Sequence, residues 1–186
     1  LACHLFSLIL TPNPLKTSAL IKKSKLLKIK RVATPFKSIH SVLICWDANQ
    51  SRSEVEELKT FGHELRKNGK EITFLTFHPI KKLGPDVLAN ELYKLCCKSD
   101  FNLFKQPKSS NIKAVLDQNF DLFINGSLEP NDYMNTIAVY TKSKFRIGPF
   151  NNMDDTYFYE LCIKPNGADL IENYLIEIGK SLNKIK

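Results

Sequence analysis

The chain has 186 residues, 43% of them hydrophobic and 25% charged, with 12 Phe. That is one globular domain with an appendage; it excludes wholesale disorder, and a core of this size needs no disulfide or metal staple. No run approaches the roughly 18 apolar residues of a membrane span, and the formal charge of +8 is carried unevenly.

Residues 1–10, LACHLFSLIL, are apolar, but the basic residues follow them. A secretory signal has the opposite order. Residues 1–40 hold eight of the 27 Lys and Arg residues and no Asp or Glu, which leaves 19 basic against 19 acidic in the remainder. The composition changes near Ser38. The expected organisation is a basic, partly helical arm over 1–37 and one domain over 38–186. Placed at 100° each, Leu20, Ile21, Leu26, Leu27 and Ile29 scatter among the lysines, which argues against a membrane-surface helix. Lys22, Lys23, Lys25, Lys28, Lys30 and Arg31 are the candidate contacts to an anionic partner such as RNA.

Ser41–Trp46 (SVLICW) reads as the first strand. Ser51 and Ser53 each precede a Glu by three residues, two overlapping capping boxes that open a helix. Val55, Leu58, Phe61, Gly62 and Leu65 keep its spacing, and Asn68-Gly69 stops it. Glu71–Phe77 is the second strand, completing a βαβ unit with a right-handed crossover. Pro85 opens a helix with the stripe Leu88, Leu92, Leu95 and Cys96. Phe101–Phe104 is a candidate short strand, and Ser109–Asn119 a small helix. Phe120–Asn125 (FDLFIN) is a strand, Pro130–Lys142 a helix, Lys144–Ile147 a strand. Tyr157–Ile163 has the period-2 set of a last strand. Asp169–Ile185 closes the chain with the helical stripe Ile171, Tyr174, Leu175, Ile178, Leu182 and Ile185. Strands alternating with helices predict a three-layer α/β domain, its mainly parallel sheet of five to six strands covered on both faces.

The five cysteines, Cys3, Cys45, Cys96, Cys97 and Cys162, are odd in number and form no disulfide framework. Cys45 and Cys162 fall in strands, and Cys96-Cys97 is a vicinal pair on the helix opened by Pro85. Buried structural thiols in a reducing cytoplasm fit this pattern. No metal-ligand spacing, phosphate-loop glycines or nucleophile elbow occurs. No cofactor, metal site or catalytic residue is assigned.

Parallel sheets bind ligands beyond the carboxyl ends of their strands. Three loops qualify: Asp47-Ala48-Asn49-Gln50 after the first strand, Asn125-Gly126-Ser127 after FDLFIN, and Gly148 to Asp155 after the Lys144–Ile147 strand. Asp47, Asn49, Asn125, Gly126 and Ser127 are the candidate ligand residues, with Asp47 suited to a ribose or sugar hydroxyl. Turns and helix caps call for the same residue types. His78, at a strand end, is the best acid–base candidate, and Asp154-Asp155 a candidate cation pair.

The segment FDLFIN followed by a helix, Lys142-Ser143-Lys144 and a strand reading FRIG is similar to the N-terminal half of heptosyltransferase-like glycosyltransferases. Residues 38–186 more closely resemble an uncharacterised Bacteroidetes family, a domain of unknown function. It shares an F-D-L-x-I-N segment (Phe120–Asn125), a K-S-K/A-x-F-R/K-[IV]-G segment (Lys142–Gly148) and a terminal L-N-K-I (Leu182–Ile185). The resemblance implies a Rossmann-like domain behind a basic lead-in and brings no activity. Three readings follow in order: a non-catalytic cytoplasmic binding or interaction domain, with a macromolecular partner on the arm; a nucleotide- or sugar-nucleotide-binding protein using the Asp47 and Ser127 edge; and RNA or ribosome association through the arm.

Overall fold

The computed structural model describes residues 14–27, 31–32, 34–84, 93–164 and 170–185. Within them lie six strands: β1 Ser41–Asp47, β2 Glu71–His78, β3 Lys94–Cys97, β4 Leu122–Asn125, β5 Phe145–Pro149 and β6 Leu161–Ile163. Five α-helices accompany them: α1 Pro14–Leu26, α2 Arg52–Lys67, α3 Ser110–Leu116, α4 Asp132–Tyr140 and α5 Leu170–Lys184. The sheet order is β3-β2-β1-β4-β5-β6 and every pairing is parallel. That order is the doubly wound one, with its switch point between β1 and β4.

Side-chain alternation places the two cores. Val42, Ile44 and Trp46 of β1 join Ile72 and Phe74 of β2 and Leu122 and Ile124 of β4 on one face, under α2 and α5. Leu43 and Cys45 join Leu75, Phe77 and Phe123 on the other, under α3 and α4. Both faces are apolar because a parallel strand between two helical layers has no solvent side.

Local chemistry sets the helix ends. The Ser51 hydroxyl accepts the Glu54 N–H, and the Glu54 carboxylate accepts the Ser51 N–H at 2.8 Å. Asn68 caps the other end, and Gly69 follows at φ 77°, a conformation that favours glycine. Gly62 lets α2 approach the sheet: a Cβ there would lie 2.7 Å from Phe74 Cε1 and closer still to Cζ. In α5, Ile171, Tyr174, Leu175, Ile178 and Leu182 are buried, the stripe expected from spacing.

Three expectations are corrected. The stripe Leu88, Leu92, Leu95 and Cys96 does not form one helix. Residues 85–92 lie outside the described ones, but Leu95, Cys96 and Cys97 belong to β3, paired with Thr76, Phe77 and His78. Long-range pairing overrides the local period there. Phe101–Phe104 is a turn with a single bridge from Phe101 to Pro107; the Asn102 side chain accepts the N–H groups of Phe104 and Gln106 and closes it. Tyr157 lies in a 3-10 turn, Met153–Tyr157, not in a strand. Asn152 and Asp155 cap that turn, so β6 begins only at Leu161.

The basic segment packs on the domain. Leu20, Ile21 and Leu27 lie against the α4 side of the core. Ser24 Oγ donates to the Tyr157 carbonyl at 2.8 Å, and Arg31 donates to the Ser143 and Thr141 carbonyls. Burial and neighbouring Arg146 push the Arg31 guanidinium down to about 10. Among the described residues no helix is long and apolar enough to cross a membrane.

Candidate functional site

The structure brings the predicted ligand residues together at the carboxyl ends of β1 and β4, where they bond to one another. Asp47 N–H donates to Ser127 Oγ at 2.7 Å, and Ser127 N–H donates to Asn125 Oδ1 at 2.9 Å. The Asn49 N–H donates to Asp47 Oδ1, and the Asn131 amide donates to Asp47 Oδ2. Gln50 spans the loop, donating to the Gly126 carbonyl and accepting from Ser127 Oγ. Gly126 sits so deep that a Cβ would lie 2.5 Å from Leu58 Cδ2 and 3.2 Å from the Cys45 carbonyl. The switch point is thus closed by its own side chains.

That network continues away from β1. Asn125, only 3% exposed, donates from Nδ2 to Tyr159 Oη at 2.8 Å. Tyr159 Oη donates in turn to Asn135 Oδ1 at 2.7 Å. The Tyr174 hydroxyl donates to the Asn125 carbonyl at 2.9 Å. Burial pushes the Tyr159 phenol far up, so its proton stays in place at ordinary pH. Gly148 of β5 makes room for the Tyr159 ring.

Beyond Asn135 opens a cleft of about 470 Å³. One wall is α1, through Ala19, Leu20 and Lys23; another is the 103–106 turn; the floor comes from the start of α4; the far wall is Asn152, Asp154, Asp155 and Phe158. Leu103 and Phe104 stand 92% and 80% exposed at the lip. Lys105 holds that turn from φ 57°, unusual for a residue with a Cβ. Its ammonium pairs with Asp132 and lies 5.0 Å from the Tyr133 ring centroid. Asp155 is buried and accepts the N–H groups of Asn151 and Asn152. Burial pushes its carboxyl up despite those bonds. Asp154 is exposed at the rim.

The remaining candidates are dispersed. Lys23 lines the cleft with its ammonium 5.5 Å from the Tyr140 ring centroid, Lys25 lies over Tyr157, and Lys22 is exposed. Arg31 is held by backbone carbonyls; Lys28 and Lys30 lie outside the described residues. His78 ends β2, and burial lowers its pKa. Cys96 is buried, which raises its thiol pKa well above the usual value. Asn135 and Phe104 carry no ligand expectation from the sequence, Tyr159 is expected only as a strand residue, and Asn152 falls in the Gly148–Asp155 candidate loop, which the structure places at the cleft. For Asn135 the available signal is its spacing of one helical turn from Asn131, the N-cap of the helix that follows β4.

Residues 16–185 match the protein-family model described as a family of unknown function, DUF6913, and the chain belongs to that family. Neither a curated protein nor a solved structure matches the chain.

Proposed function

We propose that this DUF6913 domain is a small-molecule-binding module whose ligand occupies the cleft beneath α1, not the switch point. The cleft itself carries the reading. Its volume of about 470 Å³ falls within the roughly 300–1,000 Å³ of ligand sites. It lies at the carboxyl edge of a parallel sheet, where such folds bind ligands. Its walls combine Leu20, Phe104 and Phe158 with a few amides and carboxylates. A nucleotide or sugar nucleotide at the Asp47 and Ser127 edge would have to replace an intact hydrogen-bond network.

The test is a thermal-shift screen of the full chain against a small-molecule library. A ligand at 100 times its dissociation constant stabilises by about 2.7 kcal/mol, a rise of roughly 5–10 °C for a chain of this size. Ala19 is exposed on the α1 wall, so Ala19→Trp obstructs the cleft without touching the core. Hits whose shift vanishes in Ala19→Trp support the reading. Hits indifferent to it refute the location.

A second reading rests on the turn tip. Leu103 and Phe104 stand in solvent beside α1, whose Lys22 and Lys25 are also exposed. An exposed apolar pair on a domain whose α1 also exposes cations suits a macromolecular partner with an acidic rim. For nucleic acid, affinity would fall steeply with salt; salt-independent binding would remove RNA from consideration.

A further inference from the structure

The chain of hydrogen bonds leading into the cleft fixes what its wall offers. A backbone N–H can only donate, so the Ser127 N–H fixes Asn125 Oδ1 as the acceptor, 2.9 Å away. Asn125 Nδ2 must then be the atom that faces Tyr159, and it donates there. Tyr159 has a single hydroxyl proton. With Asn125 donating to it, that proton goes to the Asn135 amide, whose facing atom is therefore Oδ1. Asn135 Nδ2 is left without a protein partner among the described residues, on a side chain that lines the cleft. Asn152 repeats the arrangement from the far wall. Its Oδ1 accepts the Asp154 N–H at 2.8 Å, and among the described residues its Nδ2 hydrogens have no protein partner.

Two amide donors lining one cleft call for acceptors on the ligand. The charges restrict which acceptors. The lining contains Lys23 and Lys105 against Asp132, Asp154 and Asp155. Lys105 is already paired with Asp132. That leaves Lys23 as the other lining cation, against Asp154 and Asp155, a poor setting for a phosphate or a carboxylate ligand. Leu20, Phe104 and Phe158 supply the apolar contact area.

We infer that the cleft selects an uncharged heteroaromatic bearing carbonyl or ring-nitrogen acceptors, of the nucleobase or nucleoside class, and that Asn135 reads it through a donor set by Tyr159. This rests on the cleft being the ligand site. Sugar hydroxyls fit the same frame, since the exposed Asp154 carboxylate at the rim can accept from them.

The experiment is calorimetric titration of the full chain with uridine, cytidine, adenosine and guanosine, with their 5′-monophosphates, and with spermidine. At least one nucleoside should bind, and its monophosphate at least tenfold more weakly. Asn135→Asp keeps the oxygen that accepts from Tyr159 and replaces the NH2 by a carboxylate oxygen. It should weaken nucleoside binding at least tenfold while the melting temperature moves by less than about 2 °C, below the roughly 2–4 °C that a loss of about 1 kcal/mol produces in a chain of this size. Asn152→Asp, conservative in the same way, should weaken it too.

Monophosphates binding as tightly as nucleosides, spermidine binding in their place, or full affinity in Asn135→Asp would overturn the inference. The cleft reading would survive each of these so long as Ala19→Trp blocks whatever binds. If none of these compounds binds but library hits remain sensitive to Ala19→Trp, the ligand class is wrong and the cleft stands. If nothing sensitive to Ala19→Trp binds at all, both fall.

Discussion

Tyr159→Phe isolates the hydroxyl that joins the switch point to the cleft. Tyr159 is 3% exposed, and its Oη accepts from Asn125 at 2.8 Å and donates to Asn135 at 2.7 Å. The ring stays in the Phe variant and still fills the space over Gly148. What is lost is two hydrogen bonds, and the Asn125 amide is left buried with an unused donor. Such a group costs about 1–3 kcal/mol. Asn135 lies half-exposed at the cleft and regains a water, so its share is smaller. The expected loss is about 2 kcal/mol, or roughly 4–8 °C in melting temperature for a chain of this length. Urea titration with intrinsic fluorescence gives the free energy directly. The same variant releases the Asn135 amide to rotate, so ligand binding should weaken as well. A stability change below about 0.5 kcal/mol, within the range of ordinary surface substitutions, would refute the reasoning. It would mean that water reaches Asn125 and that the network does not seal the switch point.

Two more substitutions probe the frame. Burial pushes the Asp121 carboxyl up, but the Lys144 ammonium at 2.7 Å and the N–H groups of His40 and Ser41 outweigh it and hold the group at about 2. A lowered carboxyl stabilises the fold above the ordinary value of 3.8 and ceases to as pH falls through about 2. Lys144 is largely exposed, so screening limits the effect to about 1–2 kcal/mol. Asp121→Asn should therefore be less stable than the parent by that amount at pH 7. The gap should close between pH 4 and pH 2 in urea titrations; a gap constant across that window contradicts the assignment. Gly62→Ala sets a helix-propensity gain of about 1 kcal/mol against a Cβ driven into the Phe74 ring, an overpacking cost of about 1–3 kcal/mol. Net destabilisation by urea titration is expected, and a stabilised variant would show that the ring simply moves aside.

The frame was readable where one residue's role did not depend on distant partners. SVLICW alternates Val42, Ile44 and Trp46 with Leu43 and Cys45, and each set faces its own helical layer. Ser51 with Glu54, and Asn68 with Gly69, mark helix ends by chemistry complete within four residues. The edge of the sheet was not readable in that way. Lys94–Cys97 has no β-branched residue, and Leu95 and Cys96 fit a helical stripe; only the pairing with Thr76–His78 makes them a strand. Tyr159 kept a strand's period yet sits at the end of a capped turn, because Asn152 and Asp155 close that turn first.

The candidate site was half legible. Asp47, Asn125 and Ser127 follow apolar strands, and the structure does bring them together. That their groups are spent on one another depends on Ser127 reaching Asp47 across eighty positions, which no local pattern encodes. The cleft draws on Leu20, Phe104, Asn135 and Phe158, far apart in sequence and individually unremarkable. Asn135 gains its meaning only through Tyr159.

The most direct test of the account is the melting temperature of the full chain and of Ala19→Trp with the library screen's best hit at saturating concentration. Occupancy of the cleft beneath α1 predicts a rise of roughly 5–10 °C in the parent and little or none in Ala19→Trp. An equal rise in both proteins would place the ligand elsewhere and contradict the account.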